Sequence, residues 1–145
     1  MMINMRIQNL LLSTAAIFLI AACNTTKPEP VKLNVDNCEH CKMTIADLKF
    51  SAELITDKGR IYKFDDLSCL LSYKKEKKLT NEICFVADYS NPQNFVKTDQ
   101  AFFVSGEKVQ SPMNGNVAGF SKKEDAEKFA SEKEGEVTDW GQVNK

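Results

Sequence analysis

The 145-residue chain contains one histidine, His40, one tryptophan and only six glycines. A single imidazole excludes paired-histidine zinc motifs and the HExxH helix of metalloproteases. No glycine-rich phosphate loop and no serine-nucleophile motif occurs, so nucleotide binding and hydrolysis have nothing to rest on. An excess of charge of one sign is missing too: 19 basic against 20 acidic residues leave a net charge of −1, with no field suited to nucleic acid. The local basic run Lys74-Lys75-Glu76-Lys77-Lys78 reads as the solvated end of a helix, where cations complement the dipole. The apolar run from Leu10 to Ala22 falls short of the roughly 20 residues needed to span a bilayer. Nothing here favours an enzyme.

What is present begins at the N-terminus. Residues 1–22 carry one charge, Arg6, ahead of the apolar run, as a signal peptide does. The run ends in Ile20-Ala21-Ala22-Cys23, which resembles the lipobox of bacterial lipoproteins, so Cys23 is the expected lipidation site and first mature residue. Multiple acyl chains on one cysteine give stable anchoring where one chain is marginal. The expected location is a membrane-anchored lipoprotein facing the periplasm. Asn24 stands where enteric inner-membrane lipoproteins carry Asp, which points to the outer membrane. Residues 23–37, polar and holding Pro28 and Pro30, read as anchor and spacer, with the folded part starting near Cys38.

Over residues 38–145 the pattern predicts an α+β fold. Two β-rich runs flank Asp57-Lys58-Gly59, a hairpin from about Ser51 to Phe64. Leu67, Leu70 and Leu71 then mark an amphipathic helix that Asp65 is expected to cap. Residues 82–90 and 101–106 are strand-like. A second helix opens at Ser121 with a capping-box pattern, buries Ala126, Phe129 and Ala130, and stops at Gly135. The stretches 59–75 and 115–131 align at an offset of 56, Gly59 with Gly115, Phe64 with Phe120 and Tyr73 with Phe129. Two similar βα-type subdomains, each a hairpin plus a helix, would follow, divided as 38–80 and 81–145.

The chemistry lies in "NCEHCKMTIAD", residues 37–47, where two thiols, the only imidazole and a thioether fall within six positions. A C-x-x-C pair serves a disulfide, a redox couple or a metal equally well. The motif follows a proline-bearing spacer and precedes a hairpin, unlike a thioredoxin-type motif. A structural zinc site would want four ligands, and Cys69 and Cys84 are single and irregularly spaced. Those two could form a disulfide, or Cys69, on the helix flank, could face the thiols. Methionine tips the balance. Met43 lies two residues past Cys41, and Met113 sits in the turn-rich "QSPMNGN", where no core periodicity asks for it. A thioether is a soft ligand that selects Cu(I). Cys38, Cys41 and Met113 are therefore the expected Cu(I) ligands, with Met43 or His40 completing the site.

These residues carry a resemblance. "CEHCKMTIADLKFSAELITDKGRIYKFDDLSCLLSY" and the later "SPMNGNVAGF" resemble the NosL family of copper-binding lipoproteins accessory to nitrous oxide reductase. The resemblance implies two related βα-type subdomains as in organomercurial lyase, Cu(I) binding and delivery without catalysis, and nitrous oxide reductase or its ABC-type maturation complex as partner. Two departures stand out: the family usually places Gly after the second cysteine and after the S-P-M methionine, where this chain has Lys42 and Asn114.

Overall fold

A computed structural model describes residues 26–145. The signal peptide and Cys23 lie outside the described residues. Seven strands form two antiparallel sheets. In the first, β1 (Ala52–Ile55) pairs on one side with β2 (Ile61–Phe64) and on the other with β3 (Ile83–Asp88), which pairs with β4 (Asn91–Lys97). In the second, β5 (Phe102–Ser105) lies between β6 (Val117–Phe120) and β7 (Glu136–Thr138). Helix α1 (Leu67–Lys77) follows β2 and α2 (Lys123–Lys133) follows β6, and a short α3 (Trp140–Val143) closes the chain. None of the described helices is long and apolar enough to cross a membrane.

The offset of 56 reappears in the elements: Ile61–Phe64 and Leu67–Lys77 map onto Val117–Phe120 and Lys123–Lys133. Both helices end on a left-handed residue, Lys78 and Glu134. Each half is thus hairpin, helix, then a strand returning to the free side of the hairpin's first strand. The first sheet keeps β3 and β4, so the halves part between Lys97 and Phe102, later than the 80/81 division expected.

Strand alternation sorts the core into two clusters. Ala52, Leu54 and Phe64 turn toward Leu67, Leu70 and Tyr73 of α1, each fully buried leucine stabilising by roughly 1.5–3 kcal/mol. On β5, Phe103 joins this first cluster, whereas Val104 joins the second, with Ala118, Phe120, Ala126, Phe129 and Ala130. The second sheet therefore packs its outer face on its own helix and its inner face on the first half. Close approach is possible because Gly119 has no side chain: a Cβ there would lie 2.6 Å from Val86 Cγ2. The Tyr89 N–H donates to the Gly119 carbonyl at 2.8 Å across this contact.

Three expectations change. Folding begins before Cys38: Val31 is buried, the Glu29 N–H donates to Glu53 Oε2 at 2.9 Å, and Lys63 Nζ donates to the Pro30 carbonyl at 3.0 Å. The first helix is capped by Asp66 and not by Asp65, because the chain stays extended through Asp66 and its Oδ1 accepts the Ser68 N–H at 2.8 Å. The second helix lacks the capping box: Lys122 holds the cap position without a side-chain bond, and the Ser121 hydroxyl donates to Asp88 instead.

Glu53, on the β1 face away from α1, is fully buried, and its Oε1 has no partner. Burial raises its pKa from the ordinary 4.5 to about 7, against the opposing pull of the Glu29 N–H and of Lys63. Between those pH values the folded chain keeps a proton that the unfolded chain has released, so stability falls as pH rises. The Glu53 contribution is present below pH 4.5 and lost through pH 7, a change of up to about 3 kcal/mol. Glu53→Gln should flatten that slope, matching the parent near pH 5 and exceeding it by on the order of 1–2 kcal/mol above pH 7. Urea unfolding at both pH values checks this; an unchanged slope would contradict it.

Candidate metal centre

The C-x-x-C segment is a tight loop. The Cys38 N–H donates to the Met43 carbonyl at 2.8 Å, and the Lys42 N–H to the Cys38 carbonyl at 2.9 Å. Asn37 and Thr44 bridge its base. Closing so short a loop forces Lys42 into the left-handed region, φ 66°. The same holds for Asn114, φ 56°, in the Ser111–Asn116 turn. These are the two positions where the resemblance leads one to expect glycine; Asn tolerates such backbone, whereas Lys42 adopts it at a cost.

The loop delivers Cys38 and Cys41 to the start of α1. There the extended chain turns successive side chains opposite ways, Asp65 to one side and Asp66 to the other. Cys38, Cys41, Asp65 and Cys69 form one group whose ligand atoms all lie within 4.8 Å of one another. Cys38 and Cys69 are buried, and Cys41 is half-buried at the mouth. The Cys41 thiol donates to Asp65 Oδ1 and Oδ2 at 3.6 and 3.7 Å. Burial pushes the Cys38 thiol up to about 11, and pushes Cys69 up as well, with the nearby Cys38 and Asp65 adding to it. Burial thus disfavours the thiolates, and a soft cation would have to displace the protons of this pair.

Asp66 works on the opposite side. Its fully buried carboxylate accepts the Ser111 hydroxyl at 2.6 Å and the Met113 N–H at 3.0 Å through Oδ2, besides capping α1 through Oδ1. Ser111 in turn accepts the Asn116 N–H at 2.8 Å. Gly115 permits this clasp, since a Cβ there would lie 2.5 Å from Asp66 Oδ1. The Met113 side chain packs, half-buried, against the cluster that contains Cys38 and Cys69. A loop of the second half is thereby fixed against the start of the first half's helix.

Other expected site residues lie elsewhere. Met43 is 53 % exposed, and His40 stands beside Glu76 of α1, its Nδ1 3.7 Å from Oε2. His40 does not belong to the four-residue group. All four described cysteines are free thiols, so no disulfide joins Cys69 to Cys84. Cys84 is buried in β3 opposite Leu54, and burial raises its pKa to about 12. Of the two alternatives open for Cys69, the structure shows it facing the thiols, and Asp65 is the one residue added; the sequence did hold a signal for it. A helix needs one cap, so of two consecutive acids one was free for other work, and Cys69 follows within the first turn.

The fold and the site define a protein of two ββαβ units with a sulfur-rich group able to hold a cation, near where the second half's loop meets the first half's helix. The family model for NosL matches residues 30–145, and the chain belongs to the NosL family. Among solved structures, the copper chaperone NosL from Shewanella denitrificans shares the fold, with a TM-score of 0.66 and 23 % identity over 80 % of this chain and 96 % of that one. No curated protein matches the chain.

The strain at position 42 is measurable. Lys42→Gly should raise stability by up to about 1 kcal/mol, because glycine carries no penalty at positive φ, offset by the entropy it adds to the unfolded chain. Thermal or urea unfolding of the variant reads this directly. A loss of 1 kcal/mol or more would show that the loop is not held in this conformation.

Proposed function

We propose that the protein is a lipid-anchored Cu(I) carrier, not an enzyme, which passes copper to nitrous oxide reductase or its ABC-type maturation complex. The convergence of the thiols of Cys38, Cys41 and Cys69 carries the reading. Thiolates with a neighbouring thioether form a soft donor set of the kind Cu(I) prefers. Membership of the NosL family and the shared fold of a copper chaperone support the same conclusion, as does the lipobox-like Ile20-Ala21-Ala22-Cys23. Cys41 at the mouth and Met113 on the loop held by Asp66 suit release by ligand exchange, since an acceptor's sulfur can reach the ion before the buried Cys38 and Cys69 let go. Met43, exposed, and His40, outside the group, remain proposed for loading or completing the site from the surface.

Asp65 favours one other reading. Three thiols and a carboxylate are also a closed four-ligand set of the kind that suits zinc, and a structural zinc would make Met113 a mere packing residue. Titration of the reduced chain from Asn24 onward against a chromophoric chelator separates the two. The account expects about one Cu(I), held more tightly than Zn(II), with at least a tenfold loss, about 1.4 kcal/mol, for Cys69→Ser and for Met113→Leu. Met113→Leu should cost less than about 1.5 kcal/mol of stability, because volume and apolarity are kept. Tighter zinc, with copper affinity unmoved by Met113→Leu, would favour the structural site.

A further inference from the structure

Among the described residues the exposed large apolar side chains are Leu33, Val35 and Met43, at 42, 67 and 53 % exposure. All three lie on one hairpin-like segment. The Asn34 N–H donates to the Ile45 carbonyl and the Ile45 N–H to the Asp36 carbonyl, both at 2.9 Å, and Asn37 bridges Thr44. No core contact explains them, whereas Ile45 on the same segment is fully buried. Among the described residues the segment is also the first fixed to the fold, through the Glu29 N–H on Glu53 and Lys63 on the Pro30 carbonyl.

We infer that this hairpin rests on the bilayer, with Leu33 and Val35 in its interfacial layer. The inference builds on the proposed lipid anchor at Cys23. Only six residue steps separate Cys23 from Glu29, so the pinned strap lies within roughly 20 Å of the anchor even when that linker is fully extended. A domain held this closely must meet the membrane with some part of its surface, and the exposed apolar side chains follow directly on the tether. Charge does not drive the contact. Lys27, Lys32 and Lys42 are balanced by Glu29, Asp36 and Glu39 over the same stretch. The seating is therefore apolar, indifferent to salt and to anionic lipid, unlike a polybasic patch. It fixes the orientation of the C-x-x-C loop relative to the membrane and limits the directions from which a partner reaches Cys41.

The test uses the full lipidated chain reconstituted in phosphatidylcholine vesicles whose acyl chains are brominated near the headgroup. Val35→Trp in a Trp140→Phe background places the single indole on the hairpin, and Trp140 of the unmutated chain serves as reference. Flotation of the protein with the vesicles reports the anchor independently. The inference expects the reporter at position 35 to be quenched at least twofold more than Trp140, equally at low and high salt, and Leu33→Ser to reduce that quenching. A floated protein whose reporter at 35 is quenched no more than Trp140 overturns the inference while leaving the anchor standing, and assigns the apolar hairpin to a protein partner. Failure to float overturns the anchor and this inference together.

Discussion

The carboxylate of Asp66 holds the two halves of the molecule in the relation the site needs. A buried charge is costly unless its lone pairs are filled, and here a helix N-terminus, a serine hydroxyl and the Met113 N–H fill them. The same atoms that relieve the charge start α1 and fix the loop of the second half. Both Cys69 and Met113 take their places from this one group. Its neighbour Asp65, turned to the other side by extended backbone, faces Cys41, so of two consecutive residues one serves the thiols and the other the Met113 loop.

A repeated ββαβ unit supplies the frame, and the differences between its two copies supply the chemistry. Both halves keep the strand, junction and helix at an offset of 56. In the first half the junction is Asp65-Asp66 and the next helical turn carries Cys69; in the second the matching residues are Ser121, Lys122 and Asp125. Without an acid at the cap, α2 starts with no side-chain bond, and Ser121 ties down Asp88. The second half thus contributes packing and the Met113 loop, and the thiols belong to the first. The junction requires glycines for contact, Gly119 against Val86 and Gly115 against Asp66, which explains why a chain with so few glycines spends them there.

Much of this was legible in the sequence. Strand alternation, leucine spacing and the lysine-rich helix end fixed the elements because local periodicity reports local structure, and the internal repeat was visible for the same reason. Cys38 and Cys41 declared themselves by spacing, and Met113 by being apolar in a turn. The rest depended on contacts between distant residues. That Asp66 and not Asp65 caps α1 is a choice of one residue, decided by the Ser111–Met113 loop 45 to 47 positions away. Cys69 could be placed on a flank, but whether the flank faced thiols or Cys84 required the path of the N-terminal loop. Lys42 and Asn114 at positive φ were visible only as departures from glycine. The strap from Glu29 to Asp36 was read as spacer because proline and charge usually mean that, and its packing rests on a buried glutamate no periodicity reveals.

The central claim is that a soft cation is held by sulfur from both halves of the fold. X-ray absorption at the copper edge of the Cu(I)-loaded protein, compared with Met113→Leu, tests it most directly. The account predicts a first shell with at least three sulfurs, and one sulfur fewer in the variant. A shell of two sulfurs or fewer, or a spectrum unchanged by Met113→Leu, would contradict it.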